Sequence, residues 1–382
     1  MKYRELLEKY RAGELSEQET AALEADIEKH ESIMDYLLEN TEPEGIPMAE
    51  IPEWSADSSK DFVKTVNRSI RRAFVMAGAV TAVVVLAIVL LLPQGVSLFF
   101  YDPTEVVGVS HYGAETNKMS LDLSVYSELY LPGKFRDTVY ADAQGYGEYA
   151  ITIPQTTSAT GIFTAVAGRL ERGTLTLYDP NLLNTPFANA FVYPEGANVG
   201  HHGAGAAGSA EDALRKLGTL DEKGTYRAYF SLSKLMDYDE FYGWYYELFE
   251  NGADIWCGVH TNRGGCVGFS PVHSGNLMDW NREKYPMLRI LDSRSSVESL
   301  QAVATDADLM QLHFTSMLRY MRDNSAAQKM FCVNGEDWDG MIDYVERNGL
   351  QLFGFCITAD LQTIMEIACR STVSYVYTQP AN

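Results

Sequence analysis

The chain has 382 residues, a formal net charge of −22 and five cysteines. That length allows two or three folded units. That charge argues against non-specific binding to nucleic acid or to anionic lipid heads, and it leaves a basic protein partner open.

The first elements are helical. In residues 2–11 Tyr3, Leu6, Leu7 and Tyr10 fall on one face, and Gly13 suits the end of that helix. Ser16 starts a second helix, and Glu19 three residues on completes a capping box. This helix is expected to run to about Glu39, with Leu23, Ile27, Met34 and Leu37 or Leu38 as its apolar stripe and His30 in line. Residues 1–39 thus read as a small all-α helical hairpin. Two such helices share too little area to be very stable alone. Either the hairpin closes on itself, or a partner completes its apolar faces, as i, i+3, i+4 and i+7 anchors do in helix-in-groove binding. The candidate contacts are Leu6, Tyr10, Leu23, Ile27 and Met34.

Residues 40–60 carry three Pro, one Gly, acids and Ser, the composition of a linker. Within it Ile46, Met48, Ile51 and Trp54 could form a short docking strip. A helical pattern resumes at 58–72 and leads into Ala73–Leu92, a run with no charge and no Pro. About 20 apolar residues in a helix cross the ~30 Å hydrocarbon core of a bilayer. Residues 61–101 therefore read as a juxtamembrane and transmembrane helix, with Leu98, Phe99, Phe100 and Tyr101 at the far interface. Lys64, Arg68, Arg71 and Arg72 precede the run, whereas Asp102 and Glu105 follow it. The positive-inside rule then puts the N-terminus in the cytoplasm and residues 102–382 outside. The run is too long, and begins too far in, for a cleaved signal peptide, so it is expected to serve as export signal and anchor.

The outer region reads as α+β. Leu121–Pro132 and Thr138–Pro154 look like strands with a turn at Pro132-Gly133. A strand pair at 162–166 and 175–178 turns near Arg172-Gly173. A Gly/Ala-rich loop at 198–209 precedes a helix at 210–217, a strand at 226–233 and a helix at 238–249. Residues 239–261 and 336–358 repeat one pattern, a helix closed by Asn-Gly and followed at once by a strand: Asn251-Gly252 matches Asn348-Gly349. With strand candidates at 226–233 and 330–333, each copy reads as a βαβ unit. A helix at Asp360–Cys369 and a strand at Val373–Tyr377 close the chain.

Chemistry is hard to find in this pattern. All five cysteines follow the span; Cys257 and Cys266 are near enough in sequence to pair, while Cys356 and Cys369 read as buried residues of a strand and a helix. His201-His202 lie in the Gly-rich loop, with His111, His260, His273 and His313 elsewhere, and nothing gathers them. No Gly-x-Ser-x-Gly elbow occurs, and Gly203–Gly208 lacks the Lys-Ser/Thr of a phosphate loop. Asp337 and Asp339 stand at a helix start, where capping explains them. No catalytic residue, cofactor or metal site is expected, and the chain is not read as an enzyme.

The order of parts resembles a known family, the membrane-anchored anti-sigma factors that restrain sigma-M-type extracytoplasmic-function sigma factors. The residues that carry the resemblance are Tyr10-Arg11-Ala12-Gly13-Glu14-Leu15-Ser16-Glu17-Gln18-Glu19 with the acidic helix to Lys29, and Asp343-Tyr344-Val345-Glu346-Arg347-Asn348-Gly349 with the strand Leu350–Thr358 and the terminal helix and strand. Residues 134–210 have no counterpart in it. The resemblance implies cytoplasmic helices that bind a sigma factor, without direct contact to nucleic acid, and an outer domain that receives an envelope signal or a small membrane partner protein. Many small anti-sigma domains carry His-x3-Cys-x2-Cys for zinc; here Met34 and Leu37 follow His30 at those positions, so a zinc site is not implied. Two rivals stand beside this reading: a membrane-anchored sensor with another cytoplasmic partner, and a tethered exported enzyme.

Overall fold

The structure is a computed structural model that describes residues 9–10, 16–39, 56–109, 115–136, 138–157, 163–179, 190–194, 197, 209–248, 255–263, 266–271, 281, 283–288 and 302–381. It divides into two units, residues 1–81 and 82–382.

In the first unit, α1 spans Glu17–Glu39. Its start is the capping box that the sequence announces: Glu19 N–H donates to Ser16 Oγ at 3.4 Å, and Ser16 N–H donates back to Glu19 Oε2 at 3.1 Å. Helix α2 spans Ala56–Ser97 without interruption, starting in this unit and carrying its residues from Ala82 onward in the second. The juxtamembrane stretch and the apolar run are therefore one helix, and the last residues of the expected linker already belong to it. Its segment Lys64–Ser97 is long and apolar enough to cross a membrane, and its most apolar stretch is not buried by the described residues.

The second unit is α+β. A short antiparallel pair, β1 (Val106–Val109) and β2 (Glu115–Asn117), precedes α3 (Lys118–Tyr130). Next comes an antiparallel sheet of β3 (Lys134–Arg136), β4 (Tyr140–Gly145), β5 (Glu148–Thr157), β6 (Phe163–Glu171) and β7 (Thr174–Leu177). Both β3 and β4 pair with β5, and the order runs on through β6 to β7. Alternation sets its faces: Tyr149, Ile151, Ile153, Val166 and Leu170 are buried, whereas Ala150, Thr152, Ala167 and Arg169 are exposed. The turns fall where expected, with positive φ at Gly133, Arg172 and Gly173.

The chain continues through α4 (Ala210–Leu217), β8 (Thr225–Asp237), α5 (Tyr238–Leu248), β9 (Ile255–Val259) and β10 (Val267–Phe269). Helices α6 (Ala307–Asp323), α7 (Ser325–Met330) and α8 (Trp338–Asn348) follow. Last come β11 (Gln351–Asp360), α9 (Leu361–Ala368) and β12 (Val373–Pro380). The second sheet is ordered β10-β9-β11-β8-β12 and is antiparallel throughout. Because β8 and β9 both run against β11, they are parallel to each other with β11 between them. By the same argument β11 and β12 are parallel with β8 between them. The two units β8–α5–β9 and β11–α9–β12 are thus split βαβ units that interlock, the ferredoxin-like arrangement, with β10 added at one edge and α6 to α8 inserted before β11. Aromatic side chains fill it: Phe230 stacks on Phe355 at 4.8 Å between centroids, and Phe241 meets Phe355 at 5.3 Å.

Three expectations are corrected. Leu121–Leu131 is not a strand but lies on α3 and its C-terminal cap. All residues from Met119 to Leu129 are buried, so the helix has no solvent face and no 3.6-residue polarity pattern to read. Residues 330–333 are not a strand either. They leave α7 through a turn in which Cys332 takes φ 59°, which an extended run does not allow. The second copy of the repeat is therefore not a βαβ unit, and the two split βαβ units pair β8–α5–β9 with β11–α9–β12, not with α8–β11. Gly349 does end α8 with φ 78°, its N–H bonded to Val345 O. Asn251-Gly252 lies outside the described residues, as does most of the first expected helix. Finally, Cys257 and Cys266 are free buried thiols, and Cys369 is exposed.

Candidate functional site

Helix α1 is acidic, and its apolar residues divide. Leu23 is only 4% exposed, whereas Ile33 and Met34 are 50% and 58% exposed. Ile27 and Tyr10 are half-buried, and Tyr10 Oη donates to Glu24 at 2.8 Å. Of the expected contacts, Leu23 therefore sits in the chain's own interior and Met34 is open to solvent. Leu6 lies outside the described residues. Ile33 extends the open apolar surface and lies off the stripe that the sequence marked. His30 is exposed beside Met34, with no thiolate where a zinc ligand set would need one.

On α2, Lys64, Arg68, Arg71 and Arg72 are exposed, within the three turns that precede the apolar run. At the other end the helix does not lead into a loose linker. The β4–β5 turn seats against its last turns. Tyr146 N–H donates to Pro93 O at 2.9 Å. Ser97 Oγ donates to the same carbonyl at 2.8 Å and accepts from Gly147 N–H at 2.9 Å. The Pro93 carbonyl, one turn before the helix end, thus accepts from the hairpin main chain as well as from the Ser97 hydroxyl. Gly145, Tyr146 and Gly147 all have positive φ, 89°, 55° and 75°. A Cβ on Gly147 would lie 2.6 Å from the Phe100 ring, so the turn needs glycine twice over. The β6–β7 turn joins the clamp: Arg172 N–H donates to Gly147 O at 2.8 Å, and its guanidinium lies 5.7 Å from the Phe100 centroid.

From this exit a polar path leads inward. Tyr101 Oη donates to Asp122 Oδ2 at 2.6 Å, and Tyr320 Oη donates to Asp122 Oδ1 at 2.5 Å. Asp122 is fully buried on α3; burial pushes its carboxyl up, against the two phenol bonds that stabilise the carboxylate. Two turns further along α3, Glu128 Oε1 meets His313 Nε2 at 2.9 Å, while His313 Nδ1 meets Met287 O at 2.7 Å. Both ring nitrogens thus face oxygen atoms. Tyr320 and His313 are both on α6, so two buried polar pairs fix α3 against α6, and the first also reaches the span exit. The α3 start is pinned as well: Asn117 Oδ1 accepts from Ser120 N–H at 2.9 Å, and Ser120 Oγ accepts from Val139 N–H at 2.8 Å. Asn117 was the signal in the sequence that could have revealed this helix.

The other candidate residues occupy structural positions. His313 has both ring nitrogens engaged with oxygen atoms. Burial raises Cys266 and Cys356 to about 12, far from thiolate reactivity at neutral pH. Asp337 caps α8, accepting from Gly340 N–H at 3.0 Å, and Asp339 pairs with Arg322 at 3.0 Å. No cluster of three or more His, Cys, Asp or Glu is placed to hold a metal among the described residues. His111, His201, His202 and His273 lie outside them. No family model, curated protein or solved structure matches the chain.

Proposed function

We propose that the chain is a membrane-bound anti-sigma factor. Its N-terminal helices hold an extracytoplasmic-function sigma factor in the cytoplasm. Its apolar helix α2 crosses the membrane, and its α+β region outside sets the grip in response to an envelope signal. The observation that carries the reading is the open apolar surface at Ile33 and Met34 on an acidic, well-capped helix. Such a surface on so small a unit suits a groove or helix of a partner, and its acidic surroundings suit a basic one. The cations at Lys64, Arg68, Arg71 and Arg72 favour a cytoplasmic place for that helix. The exit clamp supports the signalling half of the proposal, because a change of shape outside would reach the helix through direct hydrogen bonds.

The test uses the full chain, tagged at its C-terminus and purified from membranes of its own cells. A sigma factor should co-purify, and Met34→Asp together with Ile33→Asp should release it while the chain stays in the membrane. Recovery of some other cytoplasmic protein in place of a sigma factor would favour the sensor reading. Undiminished binding by the double variant would remove the proposed surface.

A further inference from the structure

The two hairpin tips at the span exit form a surface of their own. The run Ala73–Leu92 has the length of the hydrocarbon core at about 1.5 Å per residue. Pro93 therefore stands at the boundary of the core. Tyr146 N–H bonds the Pro93 carbonyl, and a Cβ on Gly145 would touch the Pro93 ring at 2.9 Å. The tip of the β4–β5 hairpin thus reaches a full helical turn below the end of α2 at Ser97, to the depth of Pro93. Tyr146 is 42% exposed at that depth, and Leu98 and Phe99, just past the end of α2, are each 86% exposed. A tyrosine with an apolar ring and a polar tip suits the interface between acyl chains and headgroups. Arg172, at the tip of the neighbouring hairpin, is exposed and stands over Phe100. The nearby carboxylates of Glu148 and Glu171 face Arg169 at 3.9 and 2.8 Å, so they do not claim Arg172.

We propose that these tips are a lipid-binding surface: Tyr146, Leu98 and Phe99 lie in the interfacial layer of the bilayer that α2 spans, and Arg172 faces the lipid phosphates. The outer domain then rests on the membrane beside its own anchor and does not stand off on a tether. A planar guanidinium matches a phosphate with paired donors, which favours a phospholipid headgroup as the occupant. The proposal rests on the membrane-spanning reading of α2, and the experiment separates the two.

The full chain is placed in nanodiscs of phosphatidylcholine and phosphatidylglycerol, with or without bromine atoms near the top of the acyl chains. Three variants, Tyr146→Trp, Val84→Trp and Tyr178→Trp, are compared with the parent by the tryptophan emission each adds. Val84 lies within the span, and the exposed Tyr178 lies at the end of β7 remote from the tips. Bromolipid should remove most of the emission added at position 146, iodide in the water should remove little of it, and position 178 should behave the opposite way. If position 84 is quenched by bromolipid while position 146 is quenched by iodide alone, the span stands and the lipid-binding surface is refuted. If neither position 84 nor position 146 responds to bromolipid, the spanning reading fails and takes the proposal with it.

Discussion

Asp122 is the point at which the chain leaving α2 meets the interior of the α+β unit. Two phenols donate to its carboxylate, Tyr101 at 2.6 Å and Tyr320 at 2.5 Å, in a site closed to solvent. Hydrogen bonds to a charged group contribute about 1.5–3 kcal/mol each. Asp122→Ala loses both bonds and leaves buried phenols without a partner. Against that loss stands the cost of burying the carboxylate, which its raised pKa reports. The net destabilisation should be about 2–4 kcal/mol. Asp122→Asn keeps an oxygen for one phenol and offers its amide to the other, so about 1 kcal/mol is expected. The assay is urea unfolding of the full chain in nanodiscs, followed by tryptophan emission, since Trp256 and Trp338 are buried in the α+β unit.

The pH dependence has a definite sign. A carboxyl whose pKa is raised on folding stabilises fully below its unfolded pKa, and that contribution is lost as pH rises through the folded pKa. Lowering the pH from neutral towards the ordinary aspartate range should therefore stabilise the parent relative to Asp122→Asn. A parent and an Asp122→Ala chain that unfold within about 0.5 kcal/mol of each other would refute the reasoning, because a bond pair of this kind cannot be that weak. So would a stability difference from Asp122→Asn that shrinks on acidification.

Three further expectations concern the clamp, the thiols and α1. Gly147→Ala combines a positive φ with a contact of 2.6 Å to Phe100, whereas Gly173→Ala meets its nearest atom at 3.9 Å; the first should cost about 2–3 kcal/mol and the second about 1, measured by the same unfolding assay. Under native conditions at neutral pH a maleimide should label Cys332 and Cys369 and spare Cys257, Cys266 and Cys356, with all five labelled after denaturation, as intact-mass spectrometry would count. Ser16→Ala removes half of the capping box and should weaken the start of α1 by about 1 kcal/mol, seen as faster amide exchange over residues 17–20.

What could be read in the sequence was whatever leaves a local signature. The Ser16–Glu19 box, the apolar run and the turns at Gly133 and Arg172-Gly173 each follow from a few adjacent residues, and each is found. The α3 helix left only its Asn117 cap as a mark, because Asp122, Ser124 and Glu128 alternate with apolar residues and are themselves buried. The carboxyls of Asp122 and Glu128 serve internal bonds to Tyr101, Tyr320 and His313, which are distant in the chain. The split βαβ topology was hidden for a related reason. It depends on β11 entering between β8 and β9, a long-range pairing that a local comparison of helix–strand pieces cannot report. On α1, spacing marked Leu23 and Met34 alike, and burial separates them. The clamp at Pro93 was beyond sequence reading altogether, since Tyr146 reaches it through a main-chain N–H that any residue would carry.

The most direct test of the proposed role places a photoreactive amino acid at Met34 of the full chain in living cells. Illumination should join the chain to an extracytoplasmic-function sigma factor, and the cross-link should fade when envelope stress releases that factor. Cross-links at Met34 to other proteins alone, or no cross-link while the chain is present in the membrane, would contradict the anti-sigma reading.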